Sequence, residues 1–363
     1  MDPKKERLLL KIVPYPIIFL LGGLLYANVE YGLLGESYVY PVSEAVYDPL
    51  NSVLSLTIMT IILGLVLGII EESVFKNRFK ELPFVLKILS KTLLYISIFA
   101  ITLLGFSLAL NIVNTGKSIA DAEVYQTVFI FFSSYGFISI ILFASFFIGL
   151  SLFFTEIVDY LGLDIVGNFF SGTYSKPVYE SRIFMFLDMK DSTTIAEKIG
   201  HKKHYQLINE YYSDMTEAIV QTVGSIYQYV GDEIVVSWKL DKGLRNWNCL
   251  KCFFLIENGI QRRSENYLKK YGVVPGFKAG LHCGEVTRGQ IGQIKRDLLY
   301  TGDVLNSTAR IQGLCNHLGV NLLISGQLKK LLPKNNLNFK PMGAYELRGR
   351  LKKKELFAVS ENN

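Results

Sequence analysis

Four apolar stretches, at residues 12–29, 52–70, 91–113 and 125–154, fill the first half of the chain with short polar segments between them. Each is near or above the ~20 apolar residues that an α-helix needs to cross a bilayer core. After residue 180 the pattern changes period. The run RIFMFLD, residues 182–188, is continuously apolar, as a strand buried on both faces would be; SIYQYVGDEIVVSW, residues 225–238, alternates on either side of Gly231-Asp232, a two-residue hairpin signal. Between them, residues 192–223 have helical spacing, with a capping box from Thr194 to Glu197 and a break at Gly200. An amphipathic helix is predicted near 243–271, a strand at 277–282, a helix over 304–318, and strands near 321–324, 343–348 and 355–359. Strand, helix, hairpin, helix, strand is the order of an α+β domain with a ferredoxin-like antiparallel sheet core and helices on one face.

At 363 residues the chain has room for two domains, and its 50% hydrophobic content is high for a soluble protein. The excess lies in the four stretches. The organisation is thus an α-helical membrane domain of four spans over residues 1–154, a connector over 155–181, and a cytoplasmic domain over 182–363. Charge orients the spans: Lys4, Lys5, Arg7 and Lys11 precede the first, and Lys76, Arg78, Lys80, Lys87 and Lys91 lie between the second and third. Residues 30–50 carry Glu30, Glu36, Glu44 and Asp48 without Lys or Arg, and residues 114–124 carry only Lys117. Both termini are therefore expected in the cytoplasm. The stretch Leu25 to Val29 lacks a small-x-small cleavage pattern, so the first span is read as retained.

No ionisable residue occupies the middle of a span, which argues against a transport pathway. Asn111 and the Ser133-Ser134-Tyr135-Gly136 cluster suit helix packing better than ligand binding. The fourth stretch is long enough to project beyond the bilayer or tilt strongly. Gly162, Gly167, Gly172 and Pro177 then interrupt any continuous helix through the connector.

Candidate chemistry begins with Asp188, at the end of the first strand, and Asp232, at the hairpin tip. If the tip lies beside the strand end, two carboxylates face one point, the arrangement that holds magnesium against substrate phosphates. Taken singly, one is equally a helix cap and the other a turn residue. The turn from Met189 to Ser192 and Thr193 offers backbone amides and a helix N-terminus to a triphosphate. In TGDVLNSTARIQG, residues 301–313, Asp303 is placed to cap a helix that carries Asn306 and Arg310 on one face. Glu233 alternates away from Asp232 and is not counted as a ligand. Cys249 and Cys252 form a CxxC within a helical pattern, without a second pair at finger-like spacing, so a zinc site is rejected. The basic run Arg348 to Lys354 and the net charge of +6 fit lipid or triphosphate attraction. Without interleaved aromatics, nucleic acid is not expected as a partner.

Three ordered motifs, FMFLDMKDSTTIAEKIG, YQYVGDEIVVSW and TGDVLNSTARIQ, resemble the class III nucleotidyl cyclases, the adenylate and guanylate cyclases; YELRGR, residues 345–350, resembles their late basic motif. The resemblance covers about residues 180–360. It implies a membrane-bound adenylate cyclase of the bacterial inner membrane that converts ATP to 3′,5′-cyclic AMP and pyrophosphate by two-metal catalysis. Two Mg²⁺ or Mn²⁺ per site would be held by Asp188 and Asp232, with Met189 beside them. The site would be shared across a homodimer: Asn306 orients the ribose, Arg310 neutralises the phosphorane, and Arg348, Ser192 and Thr193 bind phosphates. The family's base-reading positions fall on Gln228 and Leu299, which match neither the adenine nor the guanine pattern. ATP is preferred on the family's prevalence. A guanylate cyclase and a nucleotide-binding receptor without turnover are the alternatives.

Overall fold

The computed structural model describes residues 3–35, 47–75, 78–79, 81–118, 121–162, 166–167, 177–294, 297–333, 337–346 and 353–361. The chain divides into two compact units, residues 5–166 and, for the most part, residues 167–363.

The first unit is helical. Helices α1 (Pro3–Ile12) and α2 (Pro14–Leu34) meet at Val13, where Pro14 removes a backbone donor. Helix α3 (Pro49–Ile70) starts on Asp48, whose carboxylate accepts from the Leu50 and Asn51 amides at 2.9 and 3.3 Å. It ends in a π-helical turn, Glu71–Phe75. Helices α4 (Phe84–Thr115), α5 (Ala122–Phe132) and α6 (Tyr135–Leu161) follow. Four helical segments are long and apolar enough to cross a membrane: Lys5–Leu34, Pro49–Phe75, Phe84–Val113 and Tyr135–Leu161. The fourth apolar stretch is therefore two helices rather than one long span. Ser134 is the reason: its hydroxyl accepts from the Phe137 amide at 3.2 Å and caps α6, so the serine pair stops one helix and starts the next. Helix α6 in turn stops at Gly162, with φ 90°. Of the expected connector, residues 163–165 and 168–176 lie outside the described residues.

Small residues set the packing of this unit. A Cβ on Gly64 would lie 2.6 Å from the Cα of Pro16, so α2 and α3 touch backbone to backbone. Lys87 and Lys91, read from sequence as loop cations, stand instead on α4. Lys91 is buried against Glu71 and lies 3.5 Å from Glu156; Lys87 meets Glu156 at 2.9 Å, and the Tyr95 hydroxyl donates to Glu71 at 2.7 Å. Lys11 pairs with Asp159. These contacts bind the ends of the helices to one another.

The second unit is built on an eight-stranded sheet. Its elements are β1 (Val178–Met189), α7 (Ser192–Ile199), α8 (His201–Gln221), β2 (Ser225–Val230), β3 (Glu233–Lys239), α9 (Leu240–Leu244), α10 (Asn248–Arg262), α11 (Ser264–Tyr271), β4 (Phe277–Ile291), β5 (Asp297–Thr301), α12 (Asp303–Leu318), β6 (Leu322–Ser325), α13 (Gly326–Leu331), β7 (Asn338–Tyr345) and β8 (Lys354–Ser360). The order β2-β3-β1-β4 is antiparallel throughout and forms the ferredoxin-like core. Beyond it the sheet is mixed, because β4 and β6 run parallel before β8 and β7 complete the row. β5 pairs with the distal half of β4, and the sequence pattern missed it, as it missed α13. β7 lies earlier than expected, at Asn338–Tyr345.

The apolar run of β1 divides by parity. Ile183, Met185, Leu187 and Met189 enter the main core with residues of α8 and α10, while Phe184 and Phe186 face a smaller cluster with Val235, Tyr300 and Val304. Helix α12 covers that second face, so the helices are not confined to one side. Two glycines of β4 allow this approach: a Cβ on Gly280 would lie 2.4 Å from the Gln312 amide nitrogen, and one on Gly284 would lie 2.7 Å from Val304. Cys249 and Cys252 are free and fully buried in the main core, where burial raises both thiols, that of Cys252 to about 12.

Candidate active site

Three carboxylates gather where β1 ends beside the β2–β3 hairpin. Asp188, half-buried, is the last polar residue of β1; its Oδ2 accepts from Gln312 Nε2 at 3.2 Å and lies 3.4 Å from Lys278 Nζ. Burial raises its pKa first and repulsion from Asp232 second, while Lys278 and Gln312 oppose both. Asp232 occupies the hairpin tip after Gly231, which adopts φ 63°. The tip is fastened from α8. The Tyr212 hydroxyl donates to the carbonyls of Gly231 and Glu233 at 2.9 and 3.1 Å, and its ring stands 4.6 Å from that of Tyr229.

Glu233 corrects the sequence reading. The β1–β3 register pairs it directly with Asp188, and paired residues of antiparallel strands share a face. Alternation from Asp232 misleads because Asp232 lies in the turn, where the strand period does not hold. Burial, then repulsion from Asp188 and Asp232, pushes the Glu233 carboxyl up to about 7, with Lys278 opposing. Lys278 itself enters through the β1–β4 register, opposite Asp188. Neither it nor Gln312 carried a signal in the sequence, since each acts through strand register or helix placement.

The remaining candidates are distributed around this notch. Met189 is buried in the main core, so only its main-chain carbonyl is available to a metal. The turn after it is held by the Lys190 amide, which donates to the Gly276 carbonyl at 2.9 Å. Asp191 then adopts φ 53° and α7 begins at Ser192, so Thr194 lies within the helix and the predicted capping box does not form. Ser192 Oγ is 3.1 Å from His204 Nε2, and Thr193 is exposed. Gln228 is exposed on β2. A bulge at Tyr227 pairs Gln228 with Val235, on the sheet face of Phe186 and Asp188. Leu299 is half-buried on β5 opposite Gly289. Arg348 lies outside the described residues.

Asn306 and Arg310 stand on α12, whose buried residues are Val304, Ser307, Thr308, Ile311, Gln312 and Cys315. Asn306 is exposed and Arg310 partly so. Among the described residues no hydrogen bond or ion pair joins either to Asp188 or Asp232. Asp303 is the first residue inside α12 rather than its cap; its carboxylate accepts from the Ser307 hydroxyl at 3.0 Å.

The carboxylates of the notch are hard oxygen donors of the kind that bind divalent cations. Among the described residues no three or more His, Cys, Asp or Glu side chains are arranged to enclose an ion. Two aspartates on adjoining strand ends instead suit Mg²⁺, which keeps several oxygens from water and substrate phosphates.

Residues 174–360 match the family model of the adenylate and guanylate cyclase catalytic domain. The chain is 33% identical over 210 residues to adenylate cyclase 2 of Rhizobium meliloti (strain 1021), covering 58% of each sequence. It is 29% identical over 147 residues to an adenylate cyclase of Anabaena cylindrica, covering 39% of this chain and 28% of that one. The match thus spans little more than half of the first relative and less of the second. A crystal structure of the adenylyl cyclase CyaB from P. aeruginosa covers 52% of this chain and 97% of its own, with 16% identity and a TM-score of 0.46.

Proposed function

The chain belongs to the adenylate and guanylate cyclase family, and from that premise we propose that it is a membrane-anchored adenylate cyclase that converts ATP to 3′,5′-cyclic AMP and pyrophosphate. The observation that carries the reading is the charge imbalance at the notch, where, among the described residues, Asp188 and Glu233 lie near Asp232 and one ammonium, Lys278. Asp188, Asp232 and the Met189 carbonyl are the residues that would hold Mg²⁺ or Mn²⁺. Bound there, such ions would supply Lewis-acid stabilisation for attack by the ribose 3′-hydroxyl and for the departing pyrophosphate.

In the reaction the ribose O3′ forms a bond to the α-phosphorus, its proton passes to solvent water, and the bond from that phosphorus to the bridging oxygen of the β-phosphate breaks, releasing pyrophosphate. Asn306 orients the ribose and Arg310 neutralises the pentacoordinate phosphate. That no hydrogen bond or ion pair joins them to the aspartates among the described residues favours a head-to-tail homodimer in which one protomer supplies the acids and its partner the α12 residues. Gln228 has both a donor and an acceptor for a purine edge, while Leu299 supplies packing alone. The four apolar helices anchor the protein with both termini in the cytoplasm, as the Lys and Arg distribution directs.

The test is product formation by the full-length protein in lipid, with ATP or GTP and with Mg²⁺ or Mn²⁺. Cyclic AMP from ATP is expected. No cyclic nucleotide under any combination would overturn the reading, and cyclic GMP alone would replace the substrate.

A further inference from the structure

Helix α12 carries Asn306 and Arg310, yet it starts without a side-chain cap. Gly302 precedes it with φ 147° and Asp303 is turned to Ser307. Lys354, the first residue of β8, reaches this start from across the sheet. Its ammonium donates to Ser307 Oγ at 3.3 Å and to Nε2 of His282, a β4 residue that is 2% exposed. Because Nε2 accepts, the imidazole proton lies on Nδ1, which donates to Ser325 Oγ at 2.7 Å; Ser325 also accepts the Leu328 amide at 3.2 Å. One lysine therefore joins α12, β4, β6 and the start of α13. The sequence reading placed Lys354 in a basic surface run, but its amine is turned inward, where a cation is costly unless hydrogen-bonded.

We propose that Lys354 is a positioning residue for the cyclase reaction: through Ser307 it fixes the first two turns of α12 to β4 and β6, and so fixes the places of Asn306 and Arg310. Ser307 directly follows Asn306 and lies three residues before Arg310, so one buried hydroxyl holds the helix within a turn of both. The proposal rests on the functional reading given above for Asn306 and Arg310. It assigns Lys354 no contact with substrate.

The test uses full-length protein in lipid carrying K354M, K354R, S307A or K354M with S307A. If the helix start is held for the transition state, K354M lowers kcat about tenfold while KM for ATP stays within about twofold. K354R recovers most of the loss, and adding S307A to K354M costs less than about twofold more, since both remove one link. Amide exchange supplies a readout independent of turnover: in K354M the amides of residues 303–310 exchange about tenfold faster, with β1 and α8 unchanged. Exchange unchanged over 303–310 would overturn the proposal even in a chain that made no cyclic nucleotide. So would a rise in KM with kcat intact, or independent, multiplying effects of the two substitutions. Should K354M fail to fold, S307A carries the same expectations at about threefold in kcat. An inactive wild-type chain with faster exchange in K354M would break the functional reading alone.

Discussion

Both units gather charge, but they balance it differently. In the first, Glu71 and Glu156 face Lys87 and Lys91, with the Tyr95 hydroxyl donating to Glu71. Among the described residues, two anions there meet two cations. In the second, among the described residues, Asp188 and Glu233 lie near one ammonium, Lys278, and burial first, then repulsion among these two and Asp232, raises the carboxyls of Asp188 and Glu233. A protein that merely needed those residues for stability would not hold them in mutual repulsion. The balanced cluster fastens helices, whereas the unbalanced one is what the proposed cation and phosphate site requires.

Substitutions can break this contrast at either end. The largest effect is expected from Asp188→Ala, which should lower cyclic AMP formation on the order of a thousandfold. Arg310→Ala should be similarly impaired. Mixing the two should restore about a quarter of wild-type activity, because half of random dimers would be mixed and each would hold one complete site. Proven heterodimers without activity would refute the shared site.

In the helical unit, Lys91→Met should destabilise the helices by about 3–5 kcal/mol, since it strands a buried carboxylate; adding Glu71→Gln should recover much of that loss. Unfolding in detergent reads both. No recovery in the double variant would show that the pair does not act as a unit.

Gln228→Lys should change the ATP to GTP ratio of kcat/KM by about tenfold, and an unmoved ratio would mean that Gln228 does not read the base. The smallest effect concerns Glu233. Its folded pKa of about 7 lies above the ordinary 4.5, so between these values the folded chain binds the proton more tightly than the unfolded one. Its contribution is therefore most favourable below the lower value and is lost as pH rises through the upper one. With chelator present, Glu233→Gln should raise the melting temperature by about 2 °C at pH 8, with no gain near pH 4. An equal gain at both would remove Glu233 from the acidic cluster.

Much of this architecture was legible because it depends on local period. The β2–β3 hairpin, the break at Gly200 and helix α12 follow from alternation, a glycine and helical spacing within short windows. The first three apolar stretches likewise announce helices by length. The split of the fourth was harder to see, because Ser133 and Ser134 suit both helix packing and capping until the backbone direction is known. β5 is short and pairs with a part of β4 that the polar sequence after residue 284 concealed.

The sequence by itself determined the segments that bear the candidate residues: a strand ending in Asp188, a turn holding Asp232, a helix presenting Asn306 and Arg310. Those assignments need only neighbours within a few positions. Tertiary structure alone decided that Glu233 joins Asp188, that Lys278 and Gln312 attend it, and that Lys354 turns inward to Ser307 and His282. Each of these depends on strand register or on the close approach that Gly280 grants to α12, and register joins residues far apart in the chain, where no local pattern records the pairing.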